Sequence, residues 1–333
     1  MKVLTALFGP TDAIDRARAL KEAGAAGVFT FEGPHDVFAP LTLAAGVGGL
    51  DLLTNVAIAF PRNPIQLAHQ AYDHQLLAQG RFTLGLGTQV RAQIEKRYGA
   101  AFDKPVARMS ELVGALRAIF ATWETGERLD FRGEFYRHTL MTPTFNPGPN
   151  PFRPPPIYVG ALGPRLTRAT AEVADGLLVM PFGSAKFLRE ATMPAVRDGL
   201  AASGRAESDF AVVPEVILSA GEDHDATRRL LSFYGSTPSY KPVLDVEGWG
   251  DLQPQLNALS KQGDWVAMSG LITDEMAHTI SVVGTPQQVA EEIQRRYGQA
   301  ADRVCLYFPG YPITDELIAE TVAAVKAVSG EAT

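Results

Sequence analysis

The stretch YVGALGPRLTRATAEVADG, residues 158–176, contains a strand, a tight loop and a helix in direct succession. Tyr158 and Val159 belong to the aromatic and β-branched residues that favour strands. Pro164 marks the first turn of a helix, where its missing N–H group costs no hydrogen bond. The apolar run GLLVMP, residues 176–181, then begins a second strand. This order of strand, helix and strand predicts a parallel βαβ unit.

The same alternation extends along the whole chain. The clearest helix carries Met109, Leu112 and Leu116 on one face, at the spacing of an amphipathic helix. Near-continuous apolar strands, as found here, are typical of parallel sheets that are covered on both faces. We therefore predict a single α/β domain over residues 1–333, a closed (β/α)8 TIM barrel rather than an open doubly wound sheet. The predicted strands cover residues 2–8, 27–31, 54–60, 81–87, 156–161, 176–181, 209–221 and 302–310.

Two segments exceed the connections of a simple barrel. Residues 125–156 are rich in proline, and residues 232–283 are rich in glycine, tyrosine and tryptophan. Long connections in a compact domain are commonly functional, and the loops after the strands of a TIM barrel form its active-site end. We expect both insertions at the C-terminal mouth of the barrel.

Composition narrows the possible partners. The net charge of −7 argues against a surface for nucleic acid or for anionic membranes. No apolar run reaches the roughly 20 residues that span a bilayer, so we expect no membrane partner. The single cysteine, Cys305, lies in an apolar run and is expected to be a buried core residue. Its inability to form an internal disulfide favours a cytoplasmic location.

The segment FEGPHD, residues 31–36, follows the second predicted strand. Glu32 and His35 would stand at the mouth of the barrel, where a carboxylate and an imidazole can transfer protons. The alternative is a solvated loop in which Asp36 caps the next helix. Two further histidines, His69 and His74, do not have the i, i+4 spacing of helical zinc ligands, and no metal site is predicted.

The segment LGLGTQ, residues 84–89, ends the fourth predicted strand. Glycine inside a strand indicates close approach by another backbone or by a ligand. Gly85 and Gly87 share one face of the strand, and Thr88 and Gln89 follow at its end. The third glycine of the dinucleotide-binding pattern G-x-G-x-x-G is missing. Packing relief inside the barrel and contact with a ligand both remain open.

The loop 160–165 precedes a predicted helix N-terminus. Such a terminus presents unpaired N–H groups and a partial positive charge, and both attract phosphate. Gly160 and Gly163 allow the backbone to approach a ligand closely, and Arg165 adds a positive charge. A plain tight turn between strand and helix is the alternative.

Several of these stretches together resemble one known family. In this order the chain resembles the luciferase-like monooxygenase superfamily, and within it the oxidoreductases that use the deazaflavin coenzyme F420. The combination of GRFTLGLG with a downstream GPR…A…ADG is more specific than any single glycine loop. The stretches that carry the resemblance are ARALKEAGAAGVFTFEGPHDVFAPLTLAA, FPRNPIQLAHQAYDHQLLAQGRFTLGLGTQV, PPPIYVGALGPRLTRATAEVADG and VVGTPQQVAEEIQ.

The resemblance implies a TIM barrel that holds the deazaflavin ring at its mouth, with the phosphate-bearing tail over residues 160–165. It implies a non-prolyl cis peptide bond at Ala59–Phe60, pressed against the ring. The implied activity is hydride transfer between F420 and a small organic substrate. A monooxygenase that uses reduced FMN and oxygen is the first alternative, and a non-catalytic deazaflavin-binding protein is the second. Relatives are often homodimers, so a homodimer is expected.

The chain departs from some F420 relatives in its acid–base residues. In those relatives a histidine directly follows the acid after the second strand, whereas here Gly33 follows Glu32. They also carry a glutamate just after the glycine turn of the fourth strand, where this chain has Gln89 and Val90. We retain Glu32 and His35 as catalytic candidates. The candidate cofactor-binding residues are Ala59, Phe60, Gly87, Thr88, Gln89, Gly160, Ala161, Leu162, Gly163, Pro164 and Arg165.

Overall fold

Eight parallel strands form the centre of the protein. The computed structural model describes residues 1–219, 225–309 and 314–330. The strands are β1 (Lys2–Ala6), β2 (Gly27–Thr30), β3 (Asp51–Thr54), β4 (Phe82–Gly87), β5 (Ile157–Ala161), β6 (Gly176–Val179), β7 (Ala211–Ser219) and β8 (Arg303–Tyr307).

The sheet closes on itself. Each strand pairs with the next in parallel, and β8 returns to β1 through the register of Val304 with Val3. Strands β7 and β8 pair with Glu215 opposite Cys305. The predicted (β/α)8 barrel is therefore confirmed, and the alternative, an open doubly wound sheet, is wrong.

Helices surround the barrel and cover the outer faces of its strands. The helix α7 (Pro286–Tyr297) begins with a capping box in which Thr285 and Gln288 exchange hydrogen bonds, as the N-terminal pattern S/T-x-x-E/Q predicts. The main helices are α1 (Ala13–Glu22), α2 (Ala39–Ala45), α3 (Pro64–Leu77), α4 (Pro105–Thr125), α5 (Pro164–Val173), α6 (Met193–Ser203), α7 (Pro286–Tyr297) and α8 (Asp315–Val328). Shorter helical segments are Arg91–Lys96, Pro143–Phe145, Ala185–Phe187, Leu188–Thr192 and Glu207–Asp209. No helix within the described residues is long and apolar enough to cross a membrane.

The strands separate two apolar regions. The larger core lies between the strands and the helices and includes fully buried Leu67, Leu84 and Leu116. The smaller one fills the barrel interior. Its buried members are Leu4, Ala6, Phe29, Leu53, Tyr158, Leu178, Val213 and Cys305. Cys305 is thus a buried core residue, as its apolar surroundings in the sequence predict.

The two insertions differ in structure. Residues 125–156 contain a short hairpin of Phe131–Arg132 with Arg137–His138. Residues 225–283 form a helical cap, which packs on Phe182 and on Ile217 of β7 around a core of its own. The cap consists of the helices Asp225–Gly235, Lys241–Glu247, Leu252–Gln262, Trp265–Gly270 and Asp274–Ile280, the turn Pro238–Tyr240 and the strand Val282–Val283.

The third barrel strand lies earlier in the chain than the sequence predicts, at Asp51–Thr54. The apolar run 54–60 was expected to be one strand, but β3 ends at Thr54 and a two-residue strand, Ala57–Ile58, pairs separately with β4. The Thr54 hydroxyl donates to Gly85 O and accepts from Gly85 N, both at 2.8 Å. This side chain occupies the main-chain groups of β4 that would continue the ladder, so the strand is interrupted here.

The position of the cis peptide bond also corrects the prediction. The expected bond at Ala59–Phe60 is not cis, and the cis bond of the described chain lies at Asn55–Val56. The cis bond therefore lies in the interruption between β3 and the Ala57–Ile58 strand, four residues before the position that the resemblance implied.

Candidate active site at the barrel mouth

Val56 lies over two glycines at the C-terminal ends of β4 and β5. A Cβ atom added to Gly87 would lie 2.4 Å from Cγ2 of Val56, and one added to Gly160 would lie 3.1 Å from Cγ1. Gly85 is constrained differently, since its Cβ would lie 1.8 Å from the Thr54 carbonyl oxygen. Packing against the main chain therefore explains Gly85, whereas Gly87 and Gly160 leave room for the side chain of Val56. We call these three residues the glycine seat.

The loop after β5 leads from the glycine seat to a helix N-terminus. Gly163 is the N-cap of α5, which has no hydrogen bond from a capping side chain. A Cβ at Gly163 would have no atom within 4 Å, so the space before the helix is open. Ala161 is buried and Leu162 is half-buried against the cap, while Pro164 and Arg165 are exposed. The first N–H groups of α5 are thus available to an anion.

Thr88 and Gln89 leave β4 beside the glycine seat, and both are half-buried. Gln89 adopts a left-handed backbone conformation with φ of 55°. Its side-chain Oε1 accepts a hydrogen bond from Val90 N at 2.9 Å, and its carbonyl accepts one from the Thr88 hydroxyl. These local bonds fix the turn at the end of the strand.

Ala59 and Phe60 lie in the larger core rather than in the interior cluster. Phe60 is 3% exposed, and its ring packs against Phe102 and under the guanidinium of Arg108, 4.8 Å from the ring centroid. The structure gives the Phe60 ring a packing role on the helix side of the barrel.

Glu32 is held by three donors. Its Oε2 accepts from Ile58 N at 2.8 Å and from Arg62 Nη1 at 2.6 Å, and its Oε1 accepts from the Tyr98 hydroxyl at 2.9 Å. Burial and the neighbouring Glu32 raise the pKa of Tyr98 to about 12, so this hydroxyl remains a donor. The carboxylate therefore ties three segments together behind the mouth, and its lone pairs are engaged in doing so.

His35 and Asp36 contact other residues than Glu32 does. Asp36 accepts hydrogen bonds from Phe38 N and Ala39 N at 2.9 and 2.8 Å, in the turn that leads into α2, whose N-cap residue is Phe38. His35 is exposed and its ring lies over Gly9, in the loop after β1. The structure does not bring Glu32 and His35 into a hydrogen bond with each other.

Glu215 is the side chain at the mouth that sequence reasoning missed. Val213 of β7 packs in the barrel interior and Ile217 packs under the cap, so Glu215, between them, faces the barrel axis. Its Oε2 accepts a hydrogen bond from Asn55 Nδ2 at 2.9 Å. Surrounding protein desolvates the carboxyl and raises its pKa to about 8, although the Asn55 hydrogen bond lowers it. The residue is nevertheless only half-buried by its accessible surface.

Two groups of aromatic rings flank Glu215. On the cap side, Phe182, Tyr234 and Tyr240 form one cluster with centroid separations of 5.9 to 6.2 Å. On the opposite side, Phe8, Phe31 and Tyr307 form another, with separations of 5.7 to 6.2 Å. Burial raises the pKa of Tyr234 and of Tyr307, and the charge of Glu215 adds to both shifts. Aromatic side chains therefore surround the carboxyl group of Glu215 at the mouth of the barrel.

The glycine seat and the open N-terminus of α5 lie together at the C-terminal mouth of a closed (β/α)8 barrel. The sequence model of the family Luciferase-like monooxygenase matches residues 2–303. The chain belongs to this family, which confirms the resemblance found in the sequence. The prediction of an oxidoreductase enzyme is confirmed at the level of this family.

Three similar proteins illustrate the relationship. An uncharacterised protein of Mycobacterium tuberculosis is 46% identical over 304 residues, 89% of each chain. The 5,10-methylenetetrahydromethanopterin reductase of Archaeoglobus fulgidus is 30% identical over 228 residues, 65% of this chain and 64% of that protein. The solved structure of the coenzyme F420 dependent tetrahydromethanopterin reductase from Methanopyrus kandleri covers 98% of both chains with a TM-score of 0.82 at 19% identity. This last likeness concerns the fold.

Proposed function

We propose that the protein is an F420-dependent oxidoreductase that transfers a hydride between the deazaflavin and a small organic substrate. The observation that carries the proposal is the continuity of the glycine seat with the open N-terminus of α5, since only two residues separate Gly160 in β5 from Gly163 at the helix start. The F420-dependent glucose-6-phosphate dehydrogenase of Kineococcus radiotolerans, which is 35% identical over 182 residues, supports the choice of coenzyme.

The residues at the mouth fit a ring joined to a phosphate. Gly87, Thr88 and Gln89 would border the ring, and the glycine seat offers main chain and one branched side chain as its support. The first N–H groups of α5 would bind the phosphate, with Arg165 adding charge. When bound, the coenzyme supplies a ring carbon that gives or accepts a hydride. The protein orients that ring and excludes water from it.

Gly163→Val tests the phosphate assignment. Gly163 has an extended backbone with φ of −71°, which valine adopts readily. Because the Cβ position is open, we expect an unchanged melting temperature. We expect affinity for F420 to fall at least about tenfold, because the new side chain stands where the phosphate would bind, a loss of about 1.4 kcal/mol. Fluorescence titration of the coenzyme measures this effect.

Gly270→Val is the matched control. A Cβ at Gly270 also meets no atom within 4 Å, and this glycine ends a helix of the cap. Its F420 affinity should equal that of the wild type. Equal affinity in the Gly163 variant as well would contradict the phosphate assignment.

Titration with FMN and with reduced FMN, under the same conditions, addresses the alternative cofactor. F420 binding without FMN binding supports the deazaflavin enzyme, whereas the reverse favours a two-component monooxygenase. F420 uptake without turnover of any ketone, alcohol or activated alkene favours a non-catalytic binding protein.

We also propose a homodimer. The exposed side chains of Leu76, Leu77 and Phe152 lie near the end of α3, where Phe152 packs against Gly80, and they offer an apolar contact surface. Light scattering of the wild type and of Leu77→Glu measures the oligomeric state. A monomeric wild type contradicts the proposal.

A further inference from the structure

The side chains of two consecutive residues connect Glu215 to the proposed cofactor site. Val56 contacts the positions of Gly87 and Gly160, and Asn55 donates to the carboxylate of Glu215. Asn55, which binds Glu215, is therefore the chain neighbour of Val56, and Val56 belongs to the surface that would support the coenzyme ring. We propose that Glu215 is the acid that protonates the substrate during hydride transfer, and that this substrate is an uncharged ketone, aldehyde or conjugated alkene. This inference rests on the proposed function.

The groups around Glu215 leave its proton available. Cys305 and Tyr307 approach from β8, Tyr234 from the cap, and Asn55 from the end of β3. Burial and the charge of Glu215 raise the pKa of Cys305 as well, so this neighbour stays neutral near pH 7. Within the described chain, desolvation raises the pKa of Glu215 and only the Asn55 hydrogen bond opposes it. With a pKa of about 8, about ten carboxyls are protonated for each ionised one at pH 7.

The chemistry of reduction balances with this one acid. When bound, the reduced deazaflavin would supply the hydride from a ring C–H bond and would itself be oxidised. A new C–H bond would form at the carbonyl carbon of the substrate while the C=O π electrons move to oxygen. The O–H bond of Glu215 breaks as a new O–H bond forms on the substrate, and its electron pair stays on the carboxylate. For a conjugated alkene, the hydride adds to the β carbon and the proton goes to the enolate. The carboxylate then regains a proton from water, since Glu215 is only half-buried.

The surroundings of Glu215 specify the charge of the substrate. A phosphate or carboxylate group beside Glu215 would repel the carboxylate that forms after proton transfer. Arg62 is near the mouth but is already bound to Glu32 and to the Ile58 carbonyl. The rings of Phe8, Phe31 and Tyr307 on one side, and of Tyr234 and Tyr240 on the other, favour an apolar or aromatic body.

Infrared titration of the full-length protein, with and without F420, tests the protonation state directly. The wild type should show a carboxylic-acid C=O band at pH 7 that disappears with a midpoint near pH 8, and Glu215→Gln should lack this band. Absence of any such difference between the two proteins overturns the inference and leaves the proposed coenzyme untouched.

Reduction of acetone, acetophenone and 2-cyclohexen-1-one by reduced F420 tests the role in turnover. We expect kcat of Glu215→Gln to fall about 100-fold or more, as for loss of a general acid, with KM and F420 affinity changed less than about threefold. The wild-type kcat should decline above pH 8 and the variant should lose this limb. Glu215→Asp should recover part of the rate, because it restores the acid.

Three results overturn the inference: full activity with an intact alkaline limb in Glu215→Gln, a wild type that reduces none of the three compounds, or better reduction of their carboxylated analogues. A wild type that does not bind F420 overturns the proposed function instead, and with it the proton-transfer step. Infrared titration still reports separately on the acid in that case.

Discussion

Asn55 donates a hydrogen bond from Nδ2 to Oε2 of Glu215 at 2.9 Å, across the interior of the barrel. Asn55 follows β3 and Glu215 lies on β7, and four strand-to-strand steps separate β3 from β7 in either direction around the closed sheet. A donated hydrogen bond stabilises the ionised carboxylate. Desolvation nevertheless dominates and leaves the pKa at about 8. Asn55 is therefore a positioning residue that limits how far this pKa rises.

Replacing Asn55 by alanine should raise the pKa of Glu215 further. The lost hydrogen bond favoured the ionised form, so its removal favours the protonated form and shifts the titration above pH 8. Infrared titration should show a midpoint higher by about one unit, which corresponds to about 1.4 kcal/mol. The alkaline limb of kcat should move in the same direction.

Asn150→Ala is the control for the asparagine substitution. Asn150 is also buried, but it contacts Glu124 and the Tyr72 carbonyl. We expect this variant to lose stability without moving the Glu215 titration. A downward shift of the pKa in Asn55→Ala would contradict the role assigned to the hydrogen bond.

Glu215→Gln should stabilise the folded protein at alkaline pH. The folded-state pKa of Glu215 lies above its ordinary value of 4.5, at about 8, so the folded state binds the extra proton between these two values. Stability from this group is full below pH 4.5 and is lost as pH rises through 8. The glutamine amide does not ionise, so the variant does not lose this stability. We expect the unfolding free energy of Glu215→Gln to exceed that of the wild type by about 2–4 kcal/mol at pH 8.5 and by little at pH 4.5.

Urea unfolding at the two pH values measures this difference. Glu207→Gln provides the control, because the Glu207 side chain is 65% exposed. An equal effect of Glu215→Gln at both pH values would contradict the linkage.

The barrel could be predicted from the sequence because its strands and helices are strongly periodic. The strand interruption could not, since it depends on the Thr54 hydroxyl reaching the main chain of Gly85, 31 residues away. Glu215 did give a signal: it is a single charged residue within the apolar run of β7, on the face shared with Val213 and Ile217. Strand alternation therefore indicated an inward acid, but its partner Asn55 is 160 residues away and follows only from the closed barrel.

Glu32 is a residue whose partners the sequence did not show. Its position after the second strand predicted a catalytic acid, which stays a prediction, and the structure adds hydrogen bonds from Ile58, Arg62 and Tyr98 that link the loops. We expect Glu32→Gln to lower stability by about 1–3 kcal/mol, because the Arg62 charge loses its partner in a site where the two side chains are 18% and 9% exposed. Urea unfolding measures this loss.

The pH profile of turnover distinguishes the two possible roles of Glu32. We expect Glu32→Gln to keep the alkaline limb that Glu215 produces. Glu134→Gln removes an exposed pair with Lys104 and should cost less than about 0.5 kcal/mol. A stable Glu32 variant that loses the pH dependence would restore Glu32 as the acid.

Gly87→Ala should disturb the glycine seat from within. The new methyl group would lie 2.4 Å from Cγ2 of Val56, and the branched valine side chain has few rotamers with which to move away. We expect a loss of about 1–3 kcal/mol in unfolding free energy from overpacking, together with weaker F420 binding. Gly163→Ala should keep wild-type stability, since its Cβ meets open space. Val56→Ala should recover most of the lost stability in the Gly87→Ala background, measured as a double-mutant cycle, whereas additive losses would mean that Val56 and Gly87 do not interact.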